Sequence, residues 1–496
     1  MKKNVIMLGG GLGGLSAAIS LAADPGLSIT ILEKNQHLGG KLNVLKKDGF
    51  SFDLGPSIFT MPYIFKKLFD LHGRKMEDYL ELVPVTPHWR NFFEGGRIID
   101  LEPQLEDMRK APTSLGEKDI RELKDFLEYS RGLYEFSDEV YFQKQSETLM
   151  EILRKMNPLS LLGRSDYFHT MDQGVRKRVS DPDLQDVLNF FVKYVGSSPY
   201  EAPAVLNLLP YIQWEFGLWY VKGGMFALSE GLERLIRELG IQVRTGIEVT
   251  GMEQEGGEIK ILQTAQGEKI PVDLVVSDME VIPFYERISR EPEKRIQPYR
   301  KKYGPACSGF ALHLGVDREY EILRHHNFFH SKSPGKHFDK LFRHPGLTDD
   351  PTIYLVAPMK TDPSQGPEGG EIIKILPHIP VVQRDNPFTP EDYEVYEGHV
   401  LDKLERMGLT DLRKHIVTRE LWTPETIEEM YYSNQGAIYG VVSDRKANLG
   451  FKTPKRSPYY GNLFFAGGST NPGGGMPMVV LSGQQAAEQV RERWRR

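Results

Sequence analysis

The sequence predicts an α/β fold whose parallel sheet draws strands from both ends of the chain. Three observations carry that prediction. Val5-Ile-Met-Leu-Gly-Gly-Gly-Leu-Gly-Gly14 is an apolar strand entering a glycine-rich turn, followed by an apolar helical stretch and a second strand-like run, Leu27-Ser-Ile-Thr-Ile-Leu32. Near the other end, Leu463-Phe-Phe-Ala466 has the texture of a buried strand and runs into Gly467-Gly-Ser-Thr-Asn-Pro-Gly-Gly-Gly475. Between them, helical and strand-like periodicities alternate without internal repeats.

Residues 4–34 form one strand–helix–strand unit, and 58–82 read as helical and apolar. Helical periodicity dominates 104–215, at Asp119–Tyr134, Glu147–Met156 and Leu184–Tyr194. Gly223-Gly224 opens a helix from Phe226 to Leu239, which Gly240 stops. Short strands follow at 242–245, 248–252, 259–262 and 273–277. The stretch 305–380 is β-rich, with strands at 308–315 and 352–357. A helix at 390–407 leads towards the strand 462–466, and a final helix begins near Met478.

The chain has 496 residues, enough for about three average domains. Its net charge of −6 argues against a nucleic-acid partner. Cys307 is the only cysteine, which excludes an internal disulfide and any cysteine-rich metal or iron–sulfur site, and fits a reducing compartment. Lys2 and Lys3 before an apolar stretch imitate a signal peptide, but the glycines at 9–11, 13 and 14 fit a strand–turn–helix instead. No other apolar run is long enough to suggest a spanning helix.

Gly9-x-Gly11-x-x-Gly14, placed between a strand and a helix, suits a dinucleotide. Gly9 makes the turn, Gly11 admits the pyrophosphate, and Gly14 lets the helix pack on the strand. The helix N-terminus offers free N–H groups to phosphate. Glu33, ending the second strand, accepts from ribose hydroxyls and disfavours a 2′-phosphate. Gly39-Gly40-Lys41 and Asp48-Gly-Phe-Ser-Phe-Asp-Leu-Gly-Pro56 follow.

This order resembles the flavin amine-oxidase and phytoene-desaturase superfamily. Asp53–Phe65, Lys193-Tyr-Val-Gly-Ser-Ser198, Gly217–Gly224, Gly408–Ile416 and Gly436–Val442 resemble the oxygenase branch of the bacterial-type carotenoid desaturase family, over essentially the whole chain. The resemblance implies a Rossmann-like FAD-binding domain of GR2/amine-oxidase type, a mixed-sheet substrate domain and a helical membrane-facing subdomain. The implied division is 1–100, 216–285 and 441–496 for FAD, 101–215 for the helical part and 286–440 for substrate. FAD is the implied cofactor. Gly39, Gly40 and Lys41 approach its phosphates; Gly55 and Pro56 approach the flavin; Val249, Gly467, Gly468, Gly475, Met476 and Met478 complete the site. The family's usual arginine is Lys41 here, a point charge without a bidentate fork.

The implied activity is oxidation of the terminal methyl of a thirty-carbon carotenoid to an aldehyde. Hydride transfer followed by water capture, and dioxygen activation, are both open routes. Asn471, where the desaturases carry histidine, and Met476 and Met478 favour the oxygenase. A desaturase that inserts double bonds without oxygen is the alternative, and a non-enzymatic relative of the Rab GDP-dissociation inhibitors a remote one. Implied partners are an apolar polyene, a lipid bilayer surface and other enzymes of the pathway, with peripheral placement on the cytoplasmic face of the membrane.

Tyr167, Phe168, Phe190, Phe191, Tyr211, Trp214, Phe216, Trp219 and Tyr220 suit either a polyene tunnel or a well-filled core. His325-His326-x-x-x-His330 has no carboxylate partner beside it and reads as packed histidines rather than a metal site, and no catalytic acid or base is assigned. The basic, tryptophan-bearing end Arg491–Arg496 suits either anionic headgroups or a helix C-terminus.

Overall fold

Strand Lys3–Leu8 lies at the centre of a five-stranded parallel sheet. Its neighbours are Leu27–Leu32 on one side and Leu274–Ser277 on the other, with Gln242–Arg244 and Leu463–Phe465 at the edges. Strands buried on both faces read as continuous apolar runs, as these do. The computed structural model describes residues 2–110, 112–113, 115–155, 166 and 168–494.

The first helix, Leu12–Ala22, covers one face of this sheet together with the final helix, Met476–Trp494. Gly483 presses against the first helix, where a methyl group would lie 2.8 Å from Ser16 Cβ. Ser16 Oγ donates to the Val480 carbonyl at 2.6 Å, tying the two helices together. The other face packs on a three-stranded antiparallel sheet, through Ile259 and Leu262 against Ile6, Leu8 and Phe465.

A second, eight-stranded mixed sheet carries Ala311–Val316, Glu371–Ile379, Ile353–Val356 and His326–Phe329 at its centre. Trp89–Phe92 and Ile98–Leu101 extend it. Side chains alternate along a strand, so each strand serves two faces. Ile373 and Ile375 join the core under helix Pro390–Arg406, while Lys374 and Leu376 turn to the opposite face and line the site described below. Ile353 and Leu355 enter that same core, leaving Tyr354 beside Lys374.

Between the sheets lies a helical region. Helix Glu117–Ser137 buries Ile120, Leu123, Phe126, Leu133 and Phe136 along one stripe. It opens with the Gly116 N–H donating to Asp119 Oδ2 at 3.1 Å. The helix expected at Glu147–Met156 is Leu149–Lys155, Met156 lying outside the described residues.

Three expectations need correction. Within 58–82 only Pro62–Asp70 is α-helical: Met61 is left-handed (φ 51°), Pro62 starts the helix, and Leu82–Pro84 pairs with Trp219–Val221. The β-rich stretch contains helix Pro334–Phe342, too short for its periodicity to stand out. The final helix starts at Met476, so Pro477 takes an early-turn position where its missing N–H costs nothing. The described part of the basic C-terminal end is engaged by protein: Arg491 donates to the Ser20 carbonyl, Arg493 pairs with Glu258 at 2.9 Å, and Lys3 lies over the Trp494 ring, while 495 and 496 lie outside the described residues. Among the described residues no helix is long and apolar enough to cross a membrane.

Candidate functional site: a glycine-walled cleft joined to an apolar cavity

A cleft opens where the parallel strands end, beside the N-terminus of the first helix. Crevices at this edge of a parallel sheet are the usual ligand sites of such folds. Gly9 has φ 101°, which a side chain would strain. A methyl at Gly11 would meet the Asp278 carboxylate, and one at Gly13 would lie 2.7 Å from the Gly467 nitrogen. The two glycine-rich segments, from opposite ends of the chain, thus touch through bare backbone.

Gly9, Gly11, Glu33, Gly39, Gly40 and Lys41 line the cleft. Gly55, Pro56, Val249, Gly467, Gly468, Gly475 and Met476 do so as well. Gly14 instead lies beneath the turn against the Gly9 carbonyl, which is the packing role its spacing predicts. Met478 lines the neighbouring cavity. Glu33 is buried and fixed by two backbone donors: Gly10 N–H to Oε2 at 2.7 Å and Asn35 N–H to Oε1 at 2.8 Å. Each carboxylate oxygen keeps a further acceptor position. The Lys41 amine donates to the Ala437 carbonyl at 2.9 Å and sits 3.5 Å from Glu280 Oε1, so its charge is already shared.

Asp278, immediately after a central strand, was not among the expected site residues. Its carboxyl accepts from the Gly14 and Gly11 N–H groups at the helix N-terminus. Burial pushes it up to about 7, and Glu33 adds to the rise. A carboxyl-bearing residue directly after a buried parallel strand was the available signal.

A second cavity adjoins the cleft. Leu206, Leu208, Leu209, Ile212 and Met478 supply much of its apolar wall. On helix Leu208–Phe216, positions 208, 209 and 212 share one face, which turns Tyr211 and Trp214 away. Of the aromatic set, Phe190, Phe191 and Tyr220 are buried core, and Trp214, Phe216 and Trp219 are partly buried against it. Phe190, Phe191, Tyr211, Trp214, Phe216, Trp219 and Tyr220 do not line the cavity; Phe191, for example, stacks on Trp89 at 4.1 Å. Phe168 is exposed, and Tyr167 lies outside the described residues.

Cleft and cavity share Gly55, Pro56, Lys374, Leu376, Tyr439, Gly474, Gly475 and Met476. Buried Lys374 holds this junction, its amine donating to the Asp53 carbonyl at 2.9 Å, to the Gly55 carbonyl and to Ser57 Oγ at 3.2 Å. Burial lowers its pKa to about 8, with Asp53 opposing. The Asp53 carboxylate accepts from the Met225 and Phe226 N–H groups at 2.8 and 3.1 Å, a structural role at the start of helix Ala227–Glu238. Asn471 is spent on tying its loop to the earlier segment at 452, accepting from the Lys452 N–H at 2.9 Å and donating to the Lys452 carbonyl at 3.1 Å.

His325 pairs with Thr361 Oγ1 at 2.7 Å, His326 with the Tyr354 hydroxyl at 2.8 Å, and His330 with Asn91 Oδ1 at 3.0 Å. Burial lowers all three pKa values, so the rings are neutral. Among the described residues no three His, Cys, Asp or Glu side chains are grouped to hold a metal ion.

The donor set fits a dinucleotide flavin: a fixed carboxylate at one end, glycine backbone at a helix start, and a far end open to an apolar chamber. The chain matches the family of flavin containing amine oxidoreductases over residues 12–491. It is 54% identical to a 4,4′-diapolycopene oxygenase of Methylomonas over 98% of each chain. It is 48% identical to a 4,4′-diaponeurosporene oxygenase of Staphylococcus aureus over 99% of each chain. Among solved structures, putrescine oxidase covers 99% of both chains with a TM-score of 0.67 at 14% identity. The cyclohexylamine oxidase of Brevibacterium oxydans covers 100% of both, with a TM-score of 0.62 at 16% identity. The chain belongs to the flavin-containing amine oxidoreductase family, and it is an FAD-dependent oxidoreductase.

Proposed function

We propose that this flavoenzyme oxidises the terminal methyl group of a thirty-carbon carotenoid, 4,4′-diaponeurosporene, to the aldehyde 4,4′-diaponeurosporen-4-al. One observation supports this most: a largely apolar cavity adjoins the cofactor cleft, with which it shares Gly55, Lys374 and Tyr439 among its lining. A polyene lying along Leu206, Leu209 and Ile212 presents its end to that wall. The oxygenases named above support the same chemistry.

Converting a methyl to an aldehyde removes two hydrogens, adds one oxygen and withdraws four electrons, so the chain end visits the junction twice. FAD, when bound, supplies the two-electron acceptor. The protein positions and excludes water. Lys374 fixes the turn at Gly55 and Pro56, and the cavity wall strips water from the chain. The predicted contacts of Gly9, Gly11, Glu33, Gly39, Gly40, Lys41, Val249, Gly467, Gly468, Gly475 and Met476 with the cofactor are supported by their shared lining of one cleft. The division into three FAD-binding pieces around helical and substrate pieces is supported by a parallel sheet whose strands come from all three.

The test is product analysis. FAD-loaded protein is incubated under air with diaponeurosporene or diapolycopene in liposomes, in ¹⁸O-labelled water. A terminal aldehyde is expected. A product lighter by two hydrogens with no oxygen makes the protein a desaturase. Label from water, with aldehyde exchange controlled, removes the dioxygen route.

Membrane contact is part of the same proposal, with peripheral binding on the cytoplasmic face. Helix Leu149–Lys155 exposes Leu149, Met150 and Leu153, while its Ile152 packs on Phe451, close in sequence to the cavity-lining Leu449 and Gly450. A Met150→Asp, Leu153→Asp protein is expected to co-sediment with liposomes several-fold less. Unchanged binding removes this helix from the contact.

A further inference from the structure

Beside the junction, the apolar cavity carries a group that a hydrocarbon cannot satisfy. Lys193 sits on the short turn Phe191–Val195 and is 2% exposed. Its amine has no hydrogen-bond partner among the described residues. It lies 3.2 Å from the centre of the Tyr354 ring and 4.6 Å from that of Phe328, with Trp89 and Tyr194 further out. Ring faces are weak acceptors, and a buried donor served only by them keeps most of its desolvation cost. Burial lowers the amine's pKa well below the usual lysine value, and Lys374 nearby adds to the shift. The amine's N–H donors are therefore left to whatever fills the cavity. Lys193, Tyr354 and Lys374 line the same cavity, and Lys374 also lines the cofactor cleft.

We propose that Lys193 is a specificity-determining residue that hydrogen-bonds an oxygen atom at the end of the polyene, so that the enzyme prefers terminal alcohols and aldehydes to the parent hydrocarbon. This rests on the carotenoid reading above and deepens it. The hydrocarbon leaves the amine unsatisfied. After the first oxidation the chain end bears a hydroxyl, whose oxygen accepts an N–H from the amine. The half-oxidised chain is then retained at the junction for its second oxidation. An aldehyde, with an acceptor only, takes one N–H. No bond to nitrogen is made or broken.

The test uses the dithionite-reduced holoenzyme without air, in which the bound alcohol is not turned over. Quenching of protein fluorescence measures binding of the thirty-carbon hydrocarbon and of its terminal alcohol, both in detergent micelles. The wild type is expected to bind the alcohol about tenfold more tightly, ~1.4 kcal/mol. Lys193→Met should bring the ratio near one while the flavin spectrum stays unchanged, and Lys193→Gln should restore part of it. Under air, Lys193→Met should release alcohol where the wild type gives aldehyde. A wild-type ratio near one overturns the inference, and so does a preference that survives in Lys193→Met. If Lys193→Met does not fold, the wild-type ratio and the Gln variant still decide. If the wild type turns over no carotenoid under air, the proposed function itself fails, which is a different result from turnover without alcohol preference.

Discussion

The cofactor cleft and the apolar cavity share a wall, yet they are built from different material. The cleft carries a wall of bare backbone: two glycine-rich segments and a helix N-terminus, with two carboxylates, Glu33 and Asp278, held by N–H groups. The cavity is mostly side chain, gathered from residues near 57, 141, 193, 206, 354, 374, 439 and 478. Backbone sites are intolerant because an added atom meets main chain, or a side chain that main chain holds in place. Side-chain cavities tolerate substitution and change what they accept. The two regions should therefore fail differently.

The largest expected effect is in the cleft. In Gly11→Val the new side chain points at the Asp278 carboxylate and the helix start. FAD affinity should fall about a hundredfold or more, ~2.7 kcal/mol, read from the flavin absorbance of purified, folded protein. Retained flavin would mean that the cleft yields as a side-chain cavity does, and the comparison would break.

Next is the cavity. Leu206→Trp fills space on its wall without touching a cleft residue. The KM for carotenoid should rise about thirtyfold from overfilling, with FAD binding unchanged. Loss of flavin as well would show that the two regions are mechanically one.

The smallest effect sharpens the electrostatics of the cleft. Asp278 is raised to about 7 by burial and by Glu33. A diphosphate favours its neutral form, so FAD affinity should fall as pH rises through 7. The folded value lies above the unfolded one, so the linked stability is greatest at low pH and is lost between about 4 and 7. Asp278→Asn keeps an acceptor for Gly11 and Gly14 without the charge. It should bind FAD about tenfold more tightly at pH 8 and flatten the pH dependence, measured by titration of flavin fluorescence. A wild-type profile flat from pH 6 to 8 would remove Asp278 from cofactor binding.

The same contrast explains what could be read in advance. Spacing revealed Gly9, Gly11 and Glu33 because a turn, a helix start and a strand end are local, and the chain must solve them within a few residues. Lys374 was invisible: its strand reads as an apolar run, and only burial opposite Gly55 makes it a clamp. Lys193 and Tyr439 stood in segments that resemble the family, with nothing local to say that they would meet. The aromatic residues of 190–220 were ambiguous for the same cause, since periodicity shows that a side chain is buried but not whether it faces a void.

By itself the sequence determined the α/β class, the parallel unit at the N-terminus and a dinucleotide site, each through local geometry that admits few residues, while FAD as the cofactor followed from the family resemblance its segments carry. Tertiary structure alone decided which face of helix Leu208–Phe216 lines the cavity, that Lys374 joins cleft to cavity, and that Lys193 is buried without a hydrogen-bond partner. Those facts depend on side chains brought together from distant strands and turns, and no short-range pattern records which of many compatible packings the chain adopts.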